Sequence, residues 1–191
     1  MAAHHLKIEL DLVVVDLFKG EQNSPRFLEL NPNHMVPVLE HCEFTLWESY
    51  AIMQYLADMT PNQSIYPTDN RGRADVNRWL FWCGQVFMPG IGILNWENSI
   101  KSLAGVGSAD PIEVARGERL LIEAANVLDK HLNDREWICD SGVSLADLAM
   151  AAPLADQHSA KLPVADLTNL QRWLKQVQAL DSWKSTEAGP P

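Results

Sequence analysis

The chain has 191 residues, 15 basic and 25 acidic, giving a formal net charge of −10, a sequence pI near 4.9 and a 47% apolar share. That length allows one large domain or two small ones, and the apolar share excludes a wholly disordered chain. An acidic balance argues against nucleic-acid binding through a basic face, and no run of about 20 apolar residues is present to predict a membrane span.

Residues 1–9 read as the tail of a helix, with Ala2, Ala3, Leu6 and Leu10 at roughly helical spacing and His4 and His5 on its surface. The charged start MAAHHLKIELDL does not fit a secretory signal. Leu10–Leu17 (LDLVVVDL) is short and β-branched and reads as a strand. A polar loop follows, then a short helix carrying Phe27, Leu28 and Leu30, and a turn at Asn31-Pro32-Asn33. Residues 35–40 (MVPVLE) read as a strand in which Pro37 forbids normal pairing on both sides. The apolar runs 36–39 and 44–47 predict a hairpin, although His41-Cys42 is a poor turn pair. A helix is expected from Glu48 to about Ala57, with Ala51, Ile52, Tyr55 and Leu56 on one face.

Residues 60–70 are proline-rich and polar, so they read as a linker. Beyond them the periods are helical. One helix is expected over 72–98, kinked by Pro89, Gly90 and Gly92, followed by a loop at 101–111 and a second helix over 112–132. Ser144-Leu145-Ala146-Asp147 fits a capping box that would start a helix over 145–157, with Asp147 a structural cap. Asp166-Leu167-Thr168 opens a last helix, and Ala188–Pro191 reads as a frayed end. The expected organisation is an α/β unit at 1–59, a linker at 60–70 and an all-helical unit at 71–191.

The chemistry concentrates in Asn31–Leu39 and Glu48-Ser49. If the bond before Pro37 is cis, the peptide groups of Val36 face an open groove and can pair with an extended peptide. Ser49 stands at a helix start, where free N–H groups attract a carboxylate, and Glu48 beside it offers a charge for an ammonium. Together they form a receptor for an amino-acid zwitterion extended by a short peptide. The three cysteines, Cys42, Cys83 and Cys139, contain no CxxC and read as cytosolic free thiols, with Cys83 and Cys139 buried and Cys42 exposed in a turn. His34, His41 and Cys42 have no zinc spacing, so no metal is expected. Trp79, Trp82, Phe87 and Trp96 read as core or interface, or as the lining of an apolar substrate pocket.

The stretch NPNHMVPVL…LWES with the following AI..YL, together with SLADLAMA in a Trp-rich helical half, resembles the soluble glutathione transferases over nearly the whole chain. The resemblance implies a thioredoxin-like α/β domain, here lacking its first strand, followed by an all-α domain. It implies conjugation of the glutathione thiolate to small apolar electrophiles by a cytoplasmic detoxifying homodimer. A binding module without turnover, or a glutathione-dependent disulfide reductase, isomerase or dehalogenase, stays open as an alternative. Carried over by position, Pro37 is the cis-proline, Val36 pairs with the cysteinyl part of glutathione, Glu48 and Ser49 hold the γ-glutamyl end, and His34 lies near the glycine end. Tyr50 stands where insect-type members often carry Arg, which removes one positive charge. The resemblance also implies a strand and a loop with the catalytic Ser, Tyr or Cys, about 15–20 residues N-terminal to Met1. No residue of the chain matches that catalytic position.

Overall fold

A computed structural model describes residues 1–186; the expectation for Ala188–Pro191 lies outside them. The chain separates into two compact units, Ala2–Gln63 and Ser64 onward, the latter joined by Met1.

The first unit opens with a single helical turn, α1 (Ala2–His5). A 3₁₀ turn at Glu21–Asn23 leads into α2 (Pro25–Leu30). Pro25 suits the first turn of α2 because an N–H there would have no intrahelical acceptor, and the Ser24 side chain accepts the Phe27 N–H. Strands β1 (Val38–His41) and β2 (Phe44–Trp47) form an antiparallel hairpin, and α3 (Ser49–Met59) packs on it and on α1. Phe27, Leu56, Ala57, Ala2, Ala3 and Leu6 make the small core. The turn pair is Cys42-Glu43, since His41 still pairs with Phe44, and Cys42 takes φ 54° to close it.

Leu10–Leu17 does not form the expected strand. Its β-branched residues suit a strand, but a strand also needs a neighbour for its N–H and C=O groups. Among the described residues, the backbone of 9–15 makes no hydrogen bond, and the sheet consists of β1 and β2 alone. Leu12, Val13 and Val14 are consequently 80–86% exposed.

The second unit is helical. A continuous helical path runs through α4 (Asn70–Trp82), α5 (Met88–Asn95) and α6 (Lys101–Leu103), joined by π-turns at Cys83–Phe87 and Trp96–Ile100. The path therefore runs past the expected end at 98, and the loop begins at Ala104 rather than at 101. Pro89 has no N–H to give the preceding turn, and the widened turn ahead of it lets Met88 N–H reach the Cys83 carbonyl. Gly90 serves a different purpose from the expected kink. A Cβ there would lie 2.7 Å from Leu121 N and 2.9 Å from Gly117 O, so glycine lets α5 cross close to α7 (Pro111–His131).

Glu97, buried in the second π-turn, accepts the Asp110 N–H at 2.6 Å and the Lys101 ammonium at 2.8 Å. The Asp110 N–H first, and Lys101 second, hold its carboxyl below the ordinary range. A depressed folded pKa gives stability that is present above the unfolded value and lost as pH falls through the folded one. Glu97→Gln is expected to be less stable than the parent near neutral pH, with the gap closing toward the acid end. Urea titrations at several pH values check this; a gap that does not narrow in acid refutes it.

Helix α8 (Leu145–Ala151) begins at the predicted capping box and is followed by a 3₁₀ turn at Ala152–Leu154. It ends before the expected 157 because Pro153 has no N–H for the Ala149 carbonyl. The Asp147 carboxylate is wholly buried and accepts four bonds: Ile138 N–H (3.0 Å), Ser144 N–H (2.8 Å), the Ser144 hydroxyl (2.9 Å) and the Trp173 indole N–H (2.8 Å). Burial pushes this carboxyl above the ordinary range, against the pull of those donors. Helix α9 (Thr168–Gln178) is capped from outside its own sequence: Asp129 of α7 accepts the Leu170 N–H at 2.8 Å. It is followed by α10 (Asp181–Lys184). Leu80, Phe87, Leu94, Leu121, Leu128 and Trp173 fill the core.

Candidate functional site

The hairpin register decides where the predicted residues meet. Val38 pairs with Trp47 at the open end of the ladder, so Pro37 and Glu48 are the next residues out on the two strands. Val36 and Ser49 follow them. Four of the five predicted residues thus gather at one end of one hairpin, although 11 positions separate Pro37 from Glu48 in the chain.

The Val36–Pro37 peptide bond is cis. Val36 is 44% exposed, and its N–H and C=O have no partner among the described residues. Ser49 opens α3, whose first N–H groups have no intrahelical acceptor. Glu48 precedes it at φ 74°, a conformation rare outside glycine, and its carboxylate caps nothing. Side chains of Glu48 and Ser49 are exposed and have no partner among the described residues. An unpaired peptide, a free carboxylate and the positive end of an 11-residue helix therefore lie together.

His34 enters from the preceding turn at φ 59°, and its Nδ1 donates to Asn23 Oδ1 over 2.8 Å. That bond ties the turn to the 3₁₀ segment instead of leaving the ring free. The sequence reading missed the residue that organises this turn. Asn31 is 2% exposed; its side chain donates to the Met35 carbonyl at 2.7 Å and accepts from Asn33 N–H at 3.0 Å and Asn33 Nδ2 at 2.9 Å. It fixes the carbonyl immediately before Val36. The signal was available, since Asn-Pro-Asn is a sequence in which an Asn side chain commonly closes a turn. Asn31→Ala removes three partly buried hydrogen bonds at once and is expected to cost about 2 kcal/mol of stability. Chemical denaturation measures this, and a loss below about 0.5 kcal/mol would show the turn holds without Asn31.

The cysteines lie elsewhere. Cys42 is exposed in the turn at the opposite end of the hairpin, and Cys83 and Cys139 are buried. Burial pushes the Cys139 thiol up to about 12, so it stays protonated at neutral pH. Among the described residues no group of His, Cys, Asp and Glu could hold a metal. Trp79 and Phe87 are buried core, Trp82 is half-buried, and Trp96 is 44% exposed.

Residues 1–58 match the glutathione S-transferase N-terminal domain model and residues 86–181 the C-terminal domain model. The chain belongs to the glutathione S-transferase family. Glutathione S-transferase D6 of Drosophila melanogaster is 26% identical over 180 residues, which is 93% of this chain and 80% of that protein. Glutathione S-transferase F10 of Arabidopsis thaliana is 28% identical over 190 residues, 95% of this chain and 86% of its own length. The solved structure of a delta-class glutathione transferase from Nilaparvata lugens is 30% identical, covering 93% of this chain and 80% of that one, with a TM-score of 0.80.

As a member of that family, the chain has a thioredoxin-like first unit and a helical second unit. His34, Val36, Pro37, Glu48 and Ser49 all fall within the stretch matched by the N-terminal domain model.

Proposed function

We propose that the open end of the hairpin binds glutathione and that the protein joins the glutathione thiolate to small apolar electrophiles. The observation that carries this reading is the set of unpaired groups at Val36, Glu48 and Ser49, brought to one place by the β1–β2 register. Each group fits a different part of the tripeptide. The Glu48 carboxylate meets the γ-glutamyl ammonium, and the N-terminus of α3 at Ser49 meets its carboxylate. The Val36 N–H and C=O pair with the cysteinyl backbone as one step of strand addition, with Pro37 shaping the approach. His34, held by Asn23, lies toward the glycine end.

A free thiol with a pKa of about 8.5 is only a few per cent ionised at neutral pH. Conjugation therefore needs the thiol both positioned and acidified, and positioning is the part these residues supply. Assembly as a homodimer and a cytoplasmic, detoxifying role belong to the same reading. No helix among the described residues is long and apolar enough to cross a membrane. Calorimetric titration with glutathione, followed by thioether formation with an activated aryl halide, tests the proposal. Saturable binding with turnover is expected; absence of binding at millimolar glutathione overturns it.

A further inference from the structure

The helical unit holds a cavity of about 410 Å³ between the first turns of α4 and the segment after α7. That volume is more than a bare oxyanion fills, and the lining is charged and polar, so a small polar anion suits it better than an apolar ligand. Arg71, Arg78 and Arg135 line it, with Asp75, Asp140 and His131. Three of the 15 basic residues of a chain with net charge −10 thus converge on one cavity.

The charges do not cancel. Arg78 is bonded to Asp75 on its own helix, and Arg135 to Asp140. The Arg71 guanidinium has no carboxylate partner among the described residues. His131 adds no free donor at Nε2, which lies 2.8 Å from the Ile138 carbonyl and donates to it. The two pairs differ in how easily they part. The Asp75 side chain is 31% exposed, but that of Asp140 is 86% exposed. An ion pair this open to water is worth at most about 1 kcal/mol, so an entering anion displaces Asp140 from Arg135 at little cost. With Asp140 turned to solvent, three arginines face one carboxylate, leaving a charge of 3 − 1 = +2.

The frame is set before any ligand arrives. Arg172 donates to the Leu132 carbonyl at 2.6 Å and to the Arg135 carbonyl at 2.7 Å, and the Ile138 N–H is held by Asp147 at 3.0 Å. The backbone carrying Arg135 is thereby tied at three points, which lowers the ordering cost of binding.

We propose that this cavity binds a small organic dianion of the phosphate-monoester class, with Arg71 and Arg135 gripping its oxygens through their guanidinium forks. The Arg78–Asp75 pair forms a neutral wall. The site lies in the helical unit and is independent of the glutathione reading.

Phenyl phosphate is the probe, titrated by calorimetry at low salt. Saturable binding of one molecule per chain is expected. Arg71→Gln and Arg135→Gln should each weaken it at least tenfold. Asp140→Asn should tighten it several-fold, because the competing carboxylate is gone; a merely structural groove would not respond in that direction. Thermal unfolding of each variant separates lost binding from lost folding, and Asp140→Asn stands as a second test where an Arg variant misfolds. Absence of saturable binding overturns the proposal. So does an equal loss in Lys130→Gln, a basic residue outside the cavity, and so does inorganic phosphate binding as tightly as phenyl phosphate.

Discussion

Asp147→Ala is expected to cost about 4 kcal/mol of folding stability. The carboxylate accepts from Ile138, twice from Ser144, and from Trp173, all of them buried or nearly so. Alanine removes one side chain but strands four donors, and a buried donor without an acceptor costs about 1–3 kcal/mol. The sum is damped because the helix start can relax and admit water. For a chain of this size, the loss corresponds to a fall of roughly 10 °C in melting temperature. Two partial deletions grade the effect. Trp173→Phe removes one donor together with its need for an acceptor, and Ser144→Ala removes only the hydroxyl; each should cost about 1–2 kcal/mol. Urea denaturation of the three variants tests the ranking. A cost for Asp147→Ala no larger than that for Ser144→Ala would mean that the carboxylate is an ordinary cap and not the junction of α8, α9 and the segment between α7 and α8.

Glu48→Ala should weaken glutathione binding by about 1–3 kcal/mol, or roughly 5- to 150-fold. The exposed carboxylate has no partner within the chain, so its removal leaves no protein group stranded and stability should change little. The assignment to the γ-glutamyl ammonium makes a sharper demand. A glutathione analogue lacking that amino group should bind the parent and Glu48→Ala alike, because the interacting pair is already broken on the ligand side. Glu40→Ala, on the same hairpin but away from its open end, controls for a general loss of negative charge and should leave affinity unchanged. Ser49→Ala is expected to weaken the natural ligand and the analogue equally. If Glu48→Ala weakens the analogue as much as glutathione, the carboxylate does not face the ammonium and the orientation of the peptide must be redrawn.

Much of this arrangement was legible in the residues themselves because the signals were local. A capping box places its acceptor and its donors within four residues, so Ser144–Asp147 announced the start of α8. The helical period of 112–132 announced α7 almost to the residue. The hairpin followed from two apolar runs, but its register did not: the turn is Cys42-Glu43 rather than His41-Cys42, and that register sets which residues lie at the open end.

Tertiary structure decided what depends on a partner distant in the chain. Leu10–Leu17 has the composition of a strand and is not one, because the backbone of 9–15 makes no hydrogen bond among the described residues. Gly90 looked like a kink and is a close contact, a role visible only once α7 lies 2.7 Å from where its Cβ would be. Asp129 caps a helix some 40 positions later, and Arg71 and Arg135 share a cavity although 64 positions separate them. Local sequence specifies which conformations a segment favours. Which backbone groups, charges and surfaces find a partner is set by how the segments are packed together.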